Sequence, residues 1–188
     1  GHKAIPGKYT VTLQMGEQKI STGAEILANP LYPTDAATYK EYNNIMRSME
    51  NELTTMHVMI NNMNGKREQL ESLLASLPAD EKYTVLKTEG SVLVKKMKAW
   101  DEDMIQRKTK VYDDADNFPA KFTANYLFLI NQTESDIPVV TQPSLDRMKE
   151  LNTEWAILKN REVEILDKNI PAFNKQLWDA GVGAIWKN

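Results

Sequence analysis

At 188 residues the chain is long enough to bury a real core, and its length fits one domain or one domain with a small appendage. Its oily stretches are broken by Lys, Asn or Glu every few positions, so no apolar run reaches the roughly 20 residues that cross a bilayer, and no transmembrane segment is expected. A net charge of -3 and a pI near 5.5 give no general attraction to nucleic acid, and the absence of cysteine excludes structural disulfides and thiolate metal sites.

The first residues, GHKAIPGKY, contain no basic segment followed by an apolar core, so no export signal is read there. Gly1 fits a remnant of tag cleavage, and the chain then reads as a piece cut from something longer. In KYTVTLQM, Tyr9, Val11, Leu13 and Met15 alternate with Thr10, Thr12 and Gln14, the period-two pattern of a strand with one buried face. Gly16-Glu17 supplies a tight turn. QKISTGAEIL follows as a second strand, less regular because Gly23 interrupts it and marks a candidate bulge. Two strands alone are marginal in water, so the hairpin needs a partner, either the helices that follow or strands upstream. Its clean alternation, ending in ANPLYP, favours the closing edge of a β-sandwich whose earlier strands lie upstream.

From Thr34 onward the period changes. Thr34 or Asp35 is the expected N-cap after Pro33, because either side-chain oxygen can accept a free N–H of the first turn. Asn64-Gly65 is ordinarily a turn signal. Yet Met49, Leu53, Met56, Ile60 and Met63 step by four and three, and Leu70, Leu74 and Leu77 resume the same phase, with Arg67 at the seam position between. A turn would have no reason to preserve that register. The spacing predicts one helix over 34–77, about 65 Å long, with Gly65 costing about 1 kcal/mol relative to Ala. A helical hairpin folding back at Asn64 is the competing reading.

LPAD supplies the next break, with Asp80 capping a second helix that carries Leu86, Gly90, Leu93, Met97, Trp100, Met104 and Val111. Gly90 on that seam implies close approach of a neighbouring helix. YDDADNFP then stops the chain, since Phe118 before Pro119 is biased away from helical angles while Pro119 suits a first turn. A third helix is expected over 119–134, with Phe122, Tyr126, Leu127, Leu129 and Ile130. After SDIPVVTQP, Thr141 caps a fourth, bearing Leu145, Met148, Leu151, Trp155, Leu158, Ile165 and Leu166. Pro171 should kink or end it near residue 167, with PAFNKQLWDAG continuing for a turn or two before Gly181. The expected fold is mainly α: an up-down-up-down four-helix bundle of long antiparallel helices over residues 31–188, preceded by a short β-hairpin over residues 1–30.

Chemistry has little material to work with. His57 is the only histidine outside the N-terminal tail, and without Cys or a second nearby His it reads as a partly exposed structural residue. Asp101, Glu102 and Asp103 are consecutive on a helix and fan out toward solvent, unlike the facing carboxylates of a glycosidase. Asp113, Asp114 and Asp116 precede helix three, where negative charge stabilises a helix N-terminus, and a calcium-loop frame from Asp114 puts Phe118 at an oxygen-ligand position. The basic runs KKMK (95–98) and RKTK (107–110) on helix two are separated by acidic triplets and lack interleaved aromatics, a solvated face rather than a nucleic-acid reader. Trp100 and Trp155 fall on seams and belong to the core. Trp178 and Trp186 lie past Pro171, where an exposed ring can contact a glycan or a partner. No catalytic residue, metal ligand or cofactor is expected.

PGKYTVTLQMGEQ, the strand pair closed by ANPLYP, a long helix containing NGKREQLESLL, then NFPAKFTANYLFL and RMKELNTEWAILKNREVEILDKNIPAFNKQL together resemble the C-terminal region of bacterial sortilin-like BNR-repeat β-propeller proteins, often labelled glycosyl hydrolases. The likeness covers nearly the whole chain, in order. It implies that residues 8–27 are the last strands of an immunoglobulin-like sandwich following the propeller, that the helices form an accessory bundle, and that the parent is periplasmic, cell-surface or secreted. Any catalytic carboxylates would belong to the propeller, so no site residue carries over. Two functions stay open. One is a non-catalytic structural or interaction module that braces the upstream propeller and β-sandwich or docks a protein partner. The other is a carbohydrate-binding or glycoside-hydrolase-associated domain using Trp178, Trp186 and the acidic clusters. A homodimer is compatible with helices of this length.

Overall fold

A computed structural model describes residues 1–135 and 138–183, and among them the chain is mainly helical with an antiparallel hairpin at its start. In order the elements are β1 (Gly7–Met15), β2 (Gln18–Ile26), α1 (Ala36–Ser76), α2 (Thr84–Met104), α3 (Phe122–Thr133), α4 (Gln142–Glu164) and α5 (Ile170–Asp179). The backbone divides into two compact units, Gly1–Glu52 with Phe128–Arg147, and Leu53–Leu127 with the chain from Met148 onward.

In the first unit, β1 and β2 pair in one unbroken register, from Gly7 opposite Ile26 to Met15 opposite Gln18. Gly23 stands in line opposite Thr10, which corrects the bulge expected there: lacking a side chain, it fits the ladder without displacing its partner. Gly16 turns the chain at φ 59° while Glu17 keeps a negative φ, the type II′ pattern that follows the twist of the strands. Asp35 caps α1, its Oδ1 accepting the Thr38 N–H at 2.7 Å, and that backbone bond holds its carboxyl below the usual range. The start of the chain is tied down in the same unit. The His2 backbone N–H donates to Glu50, ring Nδ1 lies 3.1 Å from the same carboxylate, and Nε2 lies 3.1 Å from Asn43 Oδ1. Burial acts to raise the Glu50 carboxyl, but the His2 hydrogen bonds and charge outweigh it and hold it low.

α1 runs as one helix through Asn64-Gly65. The side chain that would cap a turn is used along the helix instead. Asn64 Nδ2 donates to Glu68 at 2.8 Å, Asn64 Oδ1 accepts from Arg67 at 2.7 Å, and Arg67 also donates to Glu71. These i,i+3 and i,i+4 links brace the one turn that Gly65 weakens. The apolar seam is buried on both sides of that turn: Met49, Met56, Ile60, Met63, Leu70 and Leu77 are each 7% exposed or less. It also begins earlier than Met49, with Tyr42 and Met46 buried in the same phase.

In the second unit, Asp80 caps a short 3-10 turn, Glu81–Tyr83, by accepting the Lys82 N–H at 2.9 Å, and α2 starts behind it. α2 lies antiparallel to the adjoining part of α1, with Gly90 against Leu74 and Lys98 paired to Glu71. It ends at Met104, so Val111 and the RKTK run lie off the helix rather than on it as expected. The cause is a distant cap. Thr123 Oγ1 donates to the Met104 carbonyl at 2.8 Å, while Ile105 turns to extended angles. Val111, 64% exposed, then precedes a second 3-10 turn, Tyr112–Asp116. α3 begins at Phe122, so Pro119 precedes the helix instead of opening it; Phe122 is fixed by stacking on Trp155, ring centroids 5.8 Å apart.

α4 and α5 run antiparallel to α2 in this unit. The Trp100 indole N–H donates to the Leu158 carbonyl at 2.8 Å in the core, and Gln176 reaches Glu89. Of the two outcomes expected at Pro171, the helix is interrupted near 167 rather than ended there. α geometry stops at Glu164, a π turn spans Ile165–Asn169 with the Ile170 N–H bonded to the Ile165 carbonyl, and α5 resumes. The extra residue accommodates a proline that has no N–H to donate and whose ring would clash with an α-helical carbonyl. α5 closes on Gly181 (φ 73°) in a Schellman motif, with Val182 N–H to Leu177 O and Gly181 N–H to Trp178 O, each 2.9 Å.

Two glycines give opposite tests of this packing. A Cβ at Gly90 would come within 2.5 Å of Leu74 Cδ2 and 2.9 Å of Phe173 Cζ. Gly90→Ala should therefore lose about 1–2 kcal/mol of stability, the overpacking strain exceeding the gain in helix propensity. A Cβ at Gly65 meets nothing within 4 Å. Gly65→Ala should gain about 0.5–1 kcal/mol, read as a rise of roughly 1–4 °C in thermal midpoint, whereas a turn at Asn64-Gly65 would make the same change destabilising.

Candidate interaction surface

The register of the hairpin places Tyr9, Val11, Leu13 and Met15 on one face, beside their partners Ala24, Thr22, Ile20 and Gln18. That face is bare: Val11 is 56% exposed, Leu13 71%, Met15 72% and Ile20 74%. The other face is polar, with Thr12 Oγ1 and Ser21 Oγ bonded at 2.8 Å and Lys8 opposite Glu25. A period-two ribbon with an unbroken apolar row along β1, extended across the pair by Ile20 and Ala24, is the kind of surface a second sheet covers, and apolar patches on a protein mark binding sites.

Trp178 sits on α5 with 72% of its surface exposed, beside the Lys175–Asp179 ion pair of 2.7 Å on the same helix. Trp186 lies outside the described residues. Trp100 and Trp155 are core residues, 0% and 2% exposed. His57 is exposed on α1.

The acidic triplet departs from its expected solvent-facing fan. Asp101 is only 6% exposed, and both its oxygens accept from Arg107, Oδ1 from Nη2 at 2.6 Å. The early end of α2 makes this possible, because the extended chain after Met104 brings Arg107 back over the last helical turn. Those Asp101 bonds hold the Arg107 guanidinium protonated still more firmly than usual. Asp103 pairs with Arg161 at 2.6 Å, and Glu102 is exposed. Asp114 serves its own 3-10 turn rather than α3: Oδ2 accepts the Lys110 and Val111 N–H groups at 2.8 and 3.1 Å, and those bonds lower its carboxyl. Among the described residues no group of three His, Asp or Glu side chains could hold a metal ion, and no helix is long and apolar enough to cross a membrane.

Glu162 is a buried carboxyl outside the acidic clusters that stand out in the sequence. It is 8% exposed on α4, four residues after Leu158 on the stripe of Leu151, Trp155, Leu158 and Ile165. A charge at a stripe position was the available signal. Burial raises its carboxyl above the ordinary 4.5, Asp167 raises it further, and Lys66 lowers it. A folded-state value above the unfolded one means that the fold favours the protonated acid. The contribution of Glu162 to stability is then fully present below pH 4.5 and declines as the pH rises through the folded value. Glu162→Gln should raise the thermal midpoint at pH 7, by roughly 2–4 °C if about 1 kcal/mol is recovered, and the gain should shrink toward pH 4. Equal gains at both pH values would contradict the assignment.

No protein-family model, curated protein or solved structure matches this chain.

Proposed function

We propose that this chain is a non-catalytic accessory module, structural or protein-interacting, of a larger exported protein of the sortilin-like BNR-repeat β-propeller kind whose members are labelled glycosyl hydrolases. In this reading the hairpin supplies the last strands of an immunoglobulin-like sandwich, and the helices form an up-down-up-down four-helix bundle beside it. The observation that carries the proposal is the bare apolar face of the hairpin, with Leu13 and Ile20 directly opposite each other and more than 70% exposed. A two-stranded ribbon of this kind gains stability when a facing sheet buries the row. The antiparallel contacts of α2 with α1, α4 and α5 support the bundle. Three acids of the two clusters are engaged elsewhere: Asp101 with Arg107, Asp103 with Arg161, and Asp114 with backbone N–H groups.

One observation favours a second reading, carbohydrate binding. Trp178 offers an indole face 72% open to solvent, as sugar-stacking platforms do. Glycan-array signal from the chain that disappears in Trp178→Ala would select it.

The accessory reading is tested by joining this chain, as a separate polypeptide, with the upstream sandwich and propeller. Association is expected in the micromolar range, and Leu13→Thr with Ile20→Thr should weaken it about tenfold or more while leaving the helical melting transition in place. Association that ignores the double substitution, or its absence at high micromolar concentration, would overturn the docking role of the hairpin.

A further inference from the structure

The second unit contains a cleft of about 450 Å³, bounded by α1 at Arg67, the last turn of α2 and the segments flanking Ile105 and Phe118. Its cationic lining is Arg67, Lys98, Arg107, Lys108 and Lys121; its acidic lining is Asp101 and Glu102. The walls thus carry an excess of three positive charges within a chain whose net charge is -3.

The cations divide into held and available groups. Arg107 is clamped by Asp101 through Nε and Nη2, which leaves Nη1 unused by that pair. Arg67 and Lys98 are both tied to Glu71. Lys108 lies over the Phe118 ring, 5.9 Å from its centroid, and Lys121 lines the same cleft; neither forms an ion pair with a described residue. Glu102, exposed in the lining, forms no ion pair with a described residue either. Part of the charge is therefore preorganised by fixed arginines and part is free to close on a ligand. Ile105, Phe118 and Pro119 supply apolar wall between the charges. A volume near 450 Å³ suits a small molecule and is too confined for a folded partner.

We infer that this cleft binds a small organic polyanion, whose phosphate or carboxylate groups meet Arg107, Lys108 and Lys121 and whose carbon body rests on Phe118. Phosphate and carboxylate share the oxyanion chemistry that guanidinium and ammonium groups recognise. Pyrophosphate and citrate separate the two sources.

The test is calorimetric titration of the full chain with each probe at low ionic strength, about 20 mM NaCl, where screening is weak. At least one probe should bind with Kd below about 1 mM. Lys108→Gln with Lys121→Gln should weaken that binding about tenfold or more, while Glu102→Gln should tighten it about twofold or more by removing a like charge from the wall. Both changes are on exposed or half-exposed side chains without ion pairs to described residues, so the thermal midpoint of the free protein should stay put. Binding of pyrophosphate alone marks a phosphate ligand, and binding of citrate alone a carboxylate ligand. No heat from either probe at about 5 mM, or binding that the double lysine change leaves intact, would overturn the inference.

Discussion

The seven-residue spacing of apolar side chains along α1 is the constraint on which the helical part of this protein depends. Tyr42, Met49, Met56, Met63, Leu70 and Leu77 recur at that interval and are all buried, and Met46, Leu53, Ile60 and Leu74 interleave with them. A helix of 41 residues cannot hold its form through propensity alone when Gly65 sits in its interior. Burial of this row supplies what propensity lacks. Methionine contributes much of it, with Met46, Met49, Met56 and Met63 each 1% exposed or less, and an unbranched thioether side chain fills irregular gaps well.

The seam is polar at one place, and that place joins the core to the cationic cleft. Arg67 occupies the position between Ile60 and Leu74, where an apolar residue would continue the row, and it is half-buried. Its stem follows the seam while its head bonds Asn64 and Glu71, as long basic side chains do at the margin of a core. The same residue forms one wall of the cationic cleft, whose opposite wall exists because α2 stops at Met104. An interruption in the hydrophobic row and an early helix end together create this cationic cleft and its apolar wall. The hairpin offers a different surface, oily and flat, suited to another sheet rather than to a small ion.

How far these features could be read in the sequence depends on whether their causes are local. Strand alternation, a tight turn at Gly16-Glu17, a cap at Thr34 or Asp35 and the phase of the α1 seam all arise from residues a few positions apart, and each is legible. Gly90 is legible too, because a glycine on an apolar stripe has few explanations besides close approach, and Leu74 and Phe173 meet it. The end of α2 is not, since it depends on a hydroxyl from Thr123 on another helix. The burial of Asp101 follows from that same end and is equally hidden until Arg107 is seen folding back. At Pro171 the local rule names the disturbance correctly but not its resolution: the chain inserts a π turn and continues, a choice made by Ile165, Ile170, Phe173 and Leu177 all having core positions to keep. Trp178 shows the exposure expected of it, while Glu162 was visible in principle as a charge on the stripe of α4.

The continuity of α1 is the claim from which the seam, the antiparallel neighbours and the cleft wall at Arg67 all follow. It is tested most directly by backbone chemical shifts of the isotopically labelled chain through Asn61 to Gln69. A single helix predicts downfield Cα shifts at every one of these residues, Asn64 and Gly65 included, with sequential amide contacts running through without a gap. Random-coil or turn values at Asn64 and Gly65, flanked by two separate helical stretches, would contradict it.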